Sequence, residues 1–349
     1  MKDAHKLTQW VIDRIERDYP DDVALLIGVS GHNVGGDGHG ECFDYYVPAT
    51  ERGNHLSETF IINGVGNDLY PRSWDRVERM VSFDDFSSSC LGNAKILYSR
   101  SDADAQRFLA AKDTFFANLR DSAFTYGKAL ERLNDAMALY RTMMFEDRLY
   151  KVRLGAGYII HYLSLAIAYL NGSYEDDRME GKIRWLQGLP ALPKGFIEYI
   201  QAVHEADATQ DLKNLAHLLI GTTRQFIKAH RPDSAETPRN KDYNQLREWY
   251  EEMRTTINRI EYYCASGNVD AAFGDACEMQ NELCAIEDEF GLAASECDVL
   301  GAFDSADLMG FLRRVHAMEQ YIISEIERHG ITIRRYNSVD AFLAARRQQ

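Results

Sequence analysis

The stretch GVSGHNVGGDGHGECFDYYVP, Gly28 to Pro48, sets a glycine-rich loop between two apolar runs and returns one carboxylate, Asp44, on the second of them. Small residues let backbone N–H groups come close to an oxyanion. A buried strand that opens into such a loop, here around Gly28, Ser30 and Gly31, therefore suits a phosphate. A carboxylate on the returning strand suits a hard divalent cation such as Mg2+ or Mn2+, which takes oxygen ligands. Whether the rest of a catalytic site accompanies them depends on the elements that carry these residues.

An apolar stripe of Leu7, Trp10, Val11 and Ile15 predicts a helix over 7–18 that stops at Tyr19-Pro20. Strand-like runs follow at 23–29, 43–47 and 58–62, the last turning through Asn63-Gly64-Val65-Gly66-Asn67 into Asp68-Leu-Tyr-Pro71. Ser73 is an N-cap candidate for a short helix, with Asp75 and Glu78 in its early turns, and 94–99 reads as a closing strand. After Ser101 the pattern is helical, over 103–119, 121–145, 147–171, 194–207 and 209–230, with Gly188 to Gly195 as a rigid corner. The polar, twice-proline segment 230–240 reads as a linker. Beyond it Tyr243, Leu246, Tyr250, Met253, Ile257 and Ile260 fall at core spacing on one helix. The expected fold class is α+β: a small mixed sheet over 1–100, a helical bundle over 101–230 and a helical module over 241–349.

Helix, strand, small-residue loop and acid-bearing strand in this order resemble the nucleotidyltransferase superfamily, which includes the enzymes that adenylylate aminoglycosides and lincosamides. The family pattern is an apolar residue, Gly, Gly or Ser, roughly ten residues, then Asp, an apolar residue and Asp or Glu, with a third carboxylate on a later strand. LIGVS supplies Gly28, and Ser30 falls one residue late. ECFDYYV sets Asp44 at the second acid and Cys42 at the first, and VGNDLYPRSWDRVER sets Asp68 at the third. AKILYSRSDADAQRF resembles the closing strand and first helix of the next domain. The resemblance implies Asp44 and Asp68 as metal ligands, Gly28, Ser30 and Gly31 around a nucleoside triphosphate, and transfer of a nucleoside monophosphate to a small hydroxyl acceptor. It also makes Glu146, beside Asp147 near a helix junction, a candidate base for that hydroxyl.

The chemistry explains the residue types. Acids at i and i+2 on a strand share a face and can bridge two cations that clamp the attacking and leaving oxygens of an in-line displacement. Cys42 is a soft ligand that magnesium disfavours, and Glu41 points to the other face unless a bulge turns it in. The alternative reading is therefore a degenerate nucleotide- or ligand-binding module, and a third is a helical interaction scaffold. The net charge of −15 argues against sequence-independent nucleic-acid binding and suits a cationic, aminoglycoside-like acceptor. The six cysteines show no C-x-x-C pair, and reduced thiols are expected. No membrane span and a cytoplasmic location are expected. His161 and His217 read as core histidines, and Tyr45, Tyr46, Tyr70 and Trp74 as core aromatics with the option of stacking on a ring.

Overall fold

The computed structural model describes residues 2–29, 43–85, 87–175, 181–232 and 241–347. The chain divides into two compact units, Met1–Asp233 and Ser234–Gln349. It is an α+β protein in which the described residues form a five-stranded mixed sheet followed by helices. Among the described residues no helix is long and apolar enough to cross a membrane.

The first unit begins with α1 (Lys2–Asp18), β1 (Val23–Val29) and β2 (Phe43–Pro48). The hairpin β3 (Glu58–Ile62) and β4 (Val65–Pro71) follows, then α2 (Trp74–Val81), α3 (Ser89–Gly92) and β5 (Ala94–Ser99). The strand order is β3-β4-β2-β1-β5, antiparallel except for the parallel pair β2 and β4. The interior strand β1 is apolar along its length because both of its faces are covered. Val23 and Leu26 lie in one core with Val11 and Ile15 of α1, while Leu25 and Ile27 lie in the other with Val77 and Met80 of α2. The stripe on α1 is narrower than its sequence suggests. Thr8, Val11 and Ile15 define the buried face, whereas Trp10 is turned off it, 41% exposed, against the edge of the Phe60 ring. The β3–β4 turn is made by Asn63 and Gly64, both at positive φ (51° and 80°), the geometry that a two-residue hairpin of right-handed twist demands.

The helices α4 (Asp102–Arg120), α5 (Ser122–Met143), α6 (Leu149–Leu170), α7 (Lys182–Gln187), α8 (Phe196–Glu205) and α9 (Thr209–Ala229) complete this unit. Phe108, Phe115 and Leu119 of α4 and Leu165 and Tyr169 of α6 enter the core on the α2 face of the sheet, so helices beyond residue 100 finish the packing of the strands. The rest of α6 packs with α5, α8 and α9 around Ile159, Leu163, Ile200, Leu212 and Leu219. A Cβ at Gly92, where α3 ends, would lie 2.5 Å from the Tyr174 ring. Gly92→Ala is expected to cost about 1–3 kcal/mol by overpacking, measurable as a lower urea midpoint.

The second unit holds α10 (Tyr243–Ser266), α11 (Val269–Phe290), α12 (Ala294–Cys297), α13 (Leu308–Arg328) and α14 (Val339–Arg346). Leu246, Tyr250, Met253, Ile257 and Ile260 of α10 form one core with Met279, Leu283 and Ile286 of α11 and Phe311, Val315, Met318 and Ile322 of α13. Asp242, Asn268 and Asp307 cap α10, α11 and α13, their side-chain oxygens accepting backbone N–H groups of the first turns.

Candidate functional site

Gly28 is buried near the end of β1, with Phe43 of β2 and Lys95 of β5 as its strand neighbours. Ser30 and Gly31 lie outside the described residues, as do His32, His39, Glu41 and Cys42. Along β1 and β2, Ile27 pairs with Tyr45 but Gly28 pairs with Phe43, which leaves Asp44 as the extra residue of a β-bulge. In a regular strand Phe43 and Tyr45 would face the same way. Here Phe43 packs in the α1 core and Tyr45 in the opposite one. Asp44 is half-buried, and its Oδ2 is buried with no hydrogen-bond partner among the described residues. A buried acceptor left without a partner costs about 1–3 kcal/mol, so this oxygen is a standing demand for a donor or a cation.

Strand β4 lies next to β2, with Tyr45 opposite Tyr70. Asp68 is exposed, pairs with Thr59 of β3, and by strand alternation shares the face of Tyr70. Asp44 and Asp68 thus stand on neighbouring strands. Asp44 is close enough for its charge to act on Tyr70 and on Arg72.

Arg72 is the residue of this region that the sequence pattern did not single out. It is 4% exposed, and its guanidinium lies over the rings of Tyr45 (4.9 Å to the centroid) and Tyr70 (5.1 Å). It donates to the Tyr70 hydroxyl (Nε, 3.0 Å), to the Cys90 thiol (3.3 Å) and to the Met80 sulfur (3.6 Å). Among the described residues no carboxylate forms an ion pair with it. Burial opposes its charge, but contact with Cys90 and Tyr70 outweighs burial and holds the guanidinium protonated. Burial, reinforced by Asp44, pushes the Tyr70 phenol up against the pull of Arg72, so Tyr70 is neutral at physiological pH. One cue to this cluster is in the sequence: Tyr70 and Arg72 are spaced i, i+2 at the end of a strand, and such residues share a face.

Tyr45 and Tyr46 are fully buried, and their hydroxyls donate to the carbonyls of Cys90 and Asn54, 3.1 Å in each case. They build core and present no ring to a ligand. Trp74 stacks under Arg107, 4.1 Å from its centroid.

Glu146 lies in the corner between α5 and α6 and lines a cleft of about 540 Å³ with Tyr150, Leu154 and Tyr158. Its carboxylate accepts from the Arg148 guanidinium twice (2.8 Å each) and from the backbone N–H groups of Asp147 (3.1 Å) and Arg148 (3.0 Å). The Arg148 side chain and backbone bonds hold its carboxyl far below the usual range, which makes it a weak proton acceptor. Asp147 is exposed, 3.6 Å from Lys213.

The histidines differ from their core reading. His217 is exposed beside Tyr140 because it falls between buried Ala216 and Leu219 on the outer side of α9. His161 is half-buried in a polar group, with Nδ1 3.4 Å from Glu175 and 3.2 Å from Lys182, which also pairs with Glu175. Burial pushes the Glu175 carboxyl up, but His161 and Lys182 together outweigh it and hold it below its ordinary value of 4.5. A depressed carboxyl contributes stability that is fully present above its unfolded value and is lost as pH falls through the folded one. The stability gap between wild type and Glu175→Gln is therefore expected to be constant above pH 4.5 and to close in more acid solution, as read by chemical denaturation across pH.

Among the described residues no group of three His, Cys, Asp or Glu is close enough to hold a metal ion. The orphaned carboxylate oxygen of Asp44 is a donor of the type a hard cation takes, and Asp68 stands on the next strand. No family model matches the chain, and no curated protein matches it. Among solved structures the chain is similar, at 10% identity and a TM-score of 0.37 over 64% of this chain and 75% of the other, to a nucleotidyltransferase-like protein from Exiguobacterium sibiricum 255-15.

Proposed function

We propose that the end of the sheet where β1 leads out and β2 returns binds a nucleoside triphosphate with one divalent cation, Mg2+ or Mn2+, and transfers its nucleoside monophosphate to a small hydroxyl-bearing acceptor. The observation that carries this reading is the buried Oδ2 of Asp44, without a hydrogen-bond partner among the described residues and placed by a bulge in β2. Asp44 and Asp68 are the residues that would hold the cation, and Gly28, Ser30 and Gly31 would border the phosphates. The cation, when bound, neutralises charge on the phosphate oxygens. The acceptor oxygen attacks the α-phosphorus, the bond to the departing pyrophosphate breaks in line with it, and the acceptor proton passes to solvent. Glu146 serves on this reading to fix the α5–α6 corner through Arg148 and Lys151, leaving proton removal to water. The acidic balance of the chain favours a cationic acceptor of the aminoglycoside kind.

A second reading is a binding module that holds a nucleotide without turning it over. The buried Arg72 favours it, because a fixed positive charge near Asp44 already offsets the carboxylate and weakens its hold on a divalent ion. Melting curves with ATP, GTP, CTP and UTP, each with Mg2+, with Mn2+ or with chelator, test both. A triphosphate that raises the melting temperature in a metal-dependent way, and releases pyrophosphate with a hydroxyl acceptor, is the expected result. A shift without pyrophosphate release selects the binding module, and no shift with any triphosphate overturns both readings.

A further inference from the structure

We propose that the second unit carries its own ligand site, a pocket between α10, α13 and residues 331–335 that binds a small organic oxyanion. The pocket has a volume of about 410 Å³, within the range of small-molecule sites and well above what a bare inorganic ion fills. Its lining brings three guanidinium groups, Arg254, Arg334 and Arg335, against two carboxylates, Glu251 and Glu319. Each of the first two arginines has acids to answer it. Arg334 is clamped on Glu251, with Nε at 2.8 Å and its backbone N–H at 2.7 Å. Arg254 is shared between Glu261 (3.1 Å) and Glu319 (3.5 Å).

Arg335 is different. Its guanidinium reaches the hydroxyl oxygen of Tyr250 at 3.4 Å, and among the described residues no carboxylate pairs with it. That hydroxyl donates its own proton to Glu319, 2.9 Å away and only 8% exposed, so the phenol is locked in an orientation that turns its oxygen toward Arg335. Burial and the bond to Glu319 push the Tyr250 phenol up, which keeps that proton in place. A planar fork of donors with a weak partner, at the rim of a cavity, matches the two oxygens of a carboxylate or of a phosphate monoester. Ile323 and Ile333 supply an apolar wall for the body of the same molecule. With Arg254 and Arg334 answered by acids, Arg335 is the guanidinium of the lining left to an incoming anion.

The full-length chain titrated calorimetrically with butyrate and with butyl phosphate tests the site, with Arg335→Gln as the disabling variant. Arg335 is exposed, so the substitution leaves the core intact, and an unchanged melting temperature checks this. Arg313→Gln, on α13 but outside the pocket, is the control for general loss of charge. At least one of the two anions is expected to bind wild type and Arg313→Gln alike, and Arg335→Gln about tenfold more weakly. The tighter of the two identifies the head group. Failure of both anions to bind wild type at millimolar concentration, or equal binding by Arg335→Gln, overturns the proposal. Neither outcome bears on the nucleotide reading of the first unit.

Discussion

Asp44→Asn is expected to abolish the metal-dependent part of any nucleotide-induced melting shift, with a loss of affinity for the triphosphate–metal pair of about a hundredfold or more. The amide keeps the shape of the carboxylate and one acceptor oxygen but has no charge to set against a divalent ion. Among the described residues the buried oxygen makes no hydrogen bond that would be lost, so the cost to the unliganded fold is the lost attraction between Asp44 and Arg72. Melting curves of wild type and variant, with and without Mg2+, separate the two contributions. A variant that keeps the full metal-dependent shift moves the cation elsewhere in the protein. Asp68→Asn is expected to follow in the same direction with a smaller loss, since Asp68 is exposed and water competes for it.

Arg72→Gln is expected to be the most destabilising single change at this end of the sheet, by about 3 kcal/mol. It removes two ring contacts and the charged donors to Tyr70, Cys90 and Met80 from a residue that water scarcely reaches. Arg72→Lys is expected to recover only part of this. It restores the charge but not the planar fork that satisfies several acceptors at once. Urea denaturation of the three proteins gives the ordering directly. A glutamine variant as stable as wild type would mean that the guanidinium is compensated no better in the folded chain than in water.

The parts of the fold governed by local periodicity were legible in the sequence. The apolar run of β1 and the three-and-four spacing along α10 each state their structure within a few residues, because one burial pattern decides them, whereas the turn read over 63–67 is only Asn63 and Gly64, Val65 to Asn67 already pairing with β3. The parts that depend on a partner were not. The bulge at Asp44 exists only relative to the register of β1, and nothing in Phe43-Asp44-Tyr45 announces it. The burial of Arg72 was hidden for a similar reason: an arginine after a proline at a strand end reads as surface until α2 and Cys90 close over it. Trp10 shows the reverse error, a large apolar residue assigned to the core by spacing but turned toward the hairpin edge by the direction α1 takes across the sheet. Of the site, Asp44 and Gly28 were placed on the expected strands, whereas the electrostatic company of Asp44 came only with the fold.

The bulge in β2 has a consequence for how this region can change over generations. In an uninterrupted strand, one residue gained or lost between Phe43 and Tyr45 would reverse the side chains on one side of the change and eject Phe43, or Tyr45, Tyr46 and Val47, from their cores. An extra residue at Asp44 works instead as a clutch. The tyrosine half of the strand stays engaged with β1 and β4, while Phe43 turns into the opposite core without shifting that register. The side chain at position 44 is thereby open to drift and selection at a rate that the packed half of the strand would never tolerate.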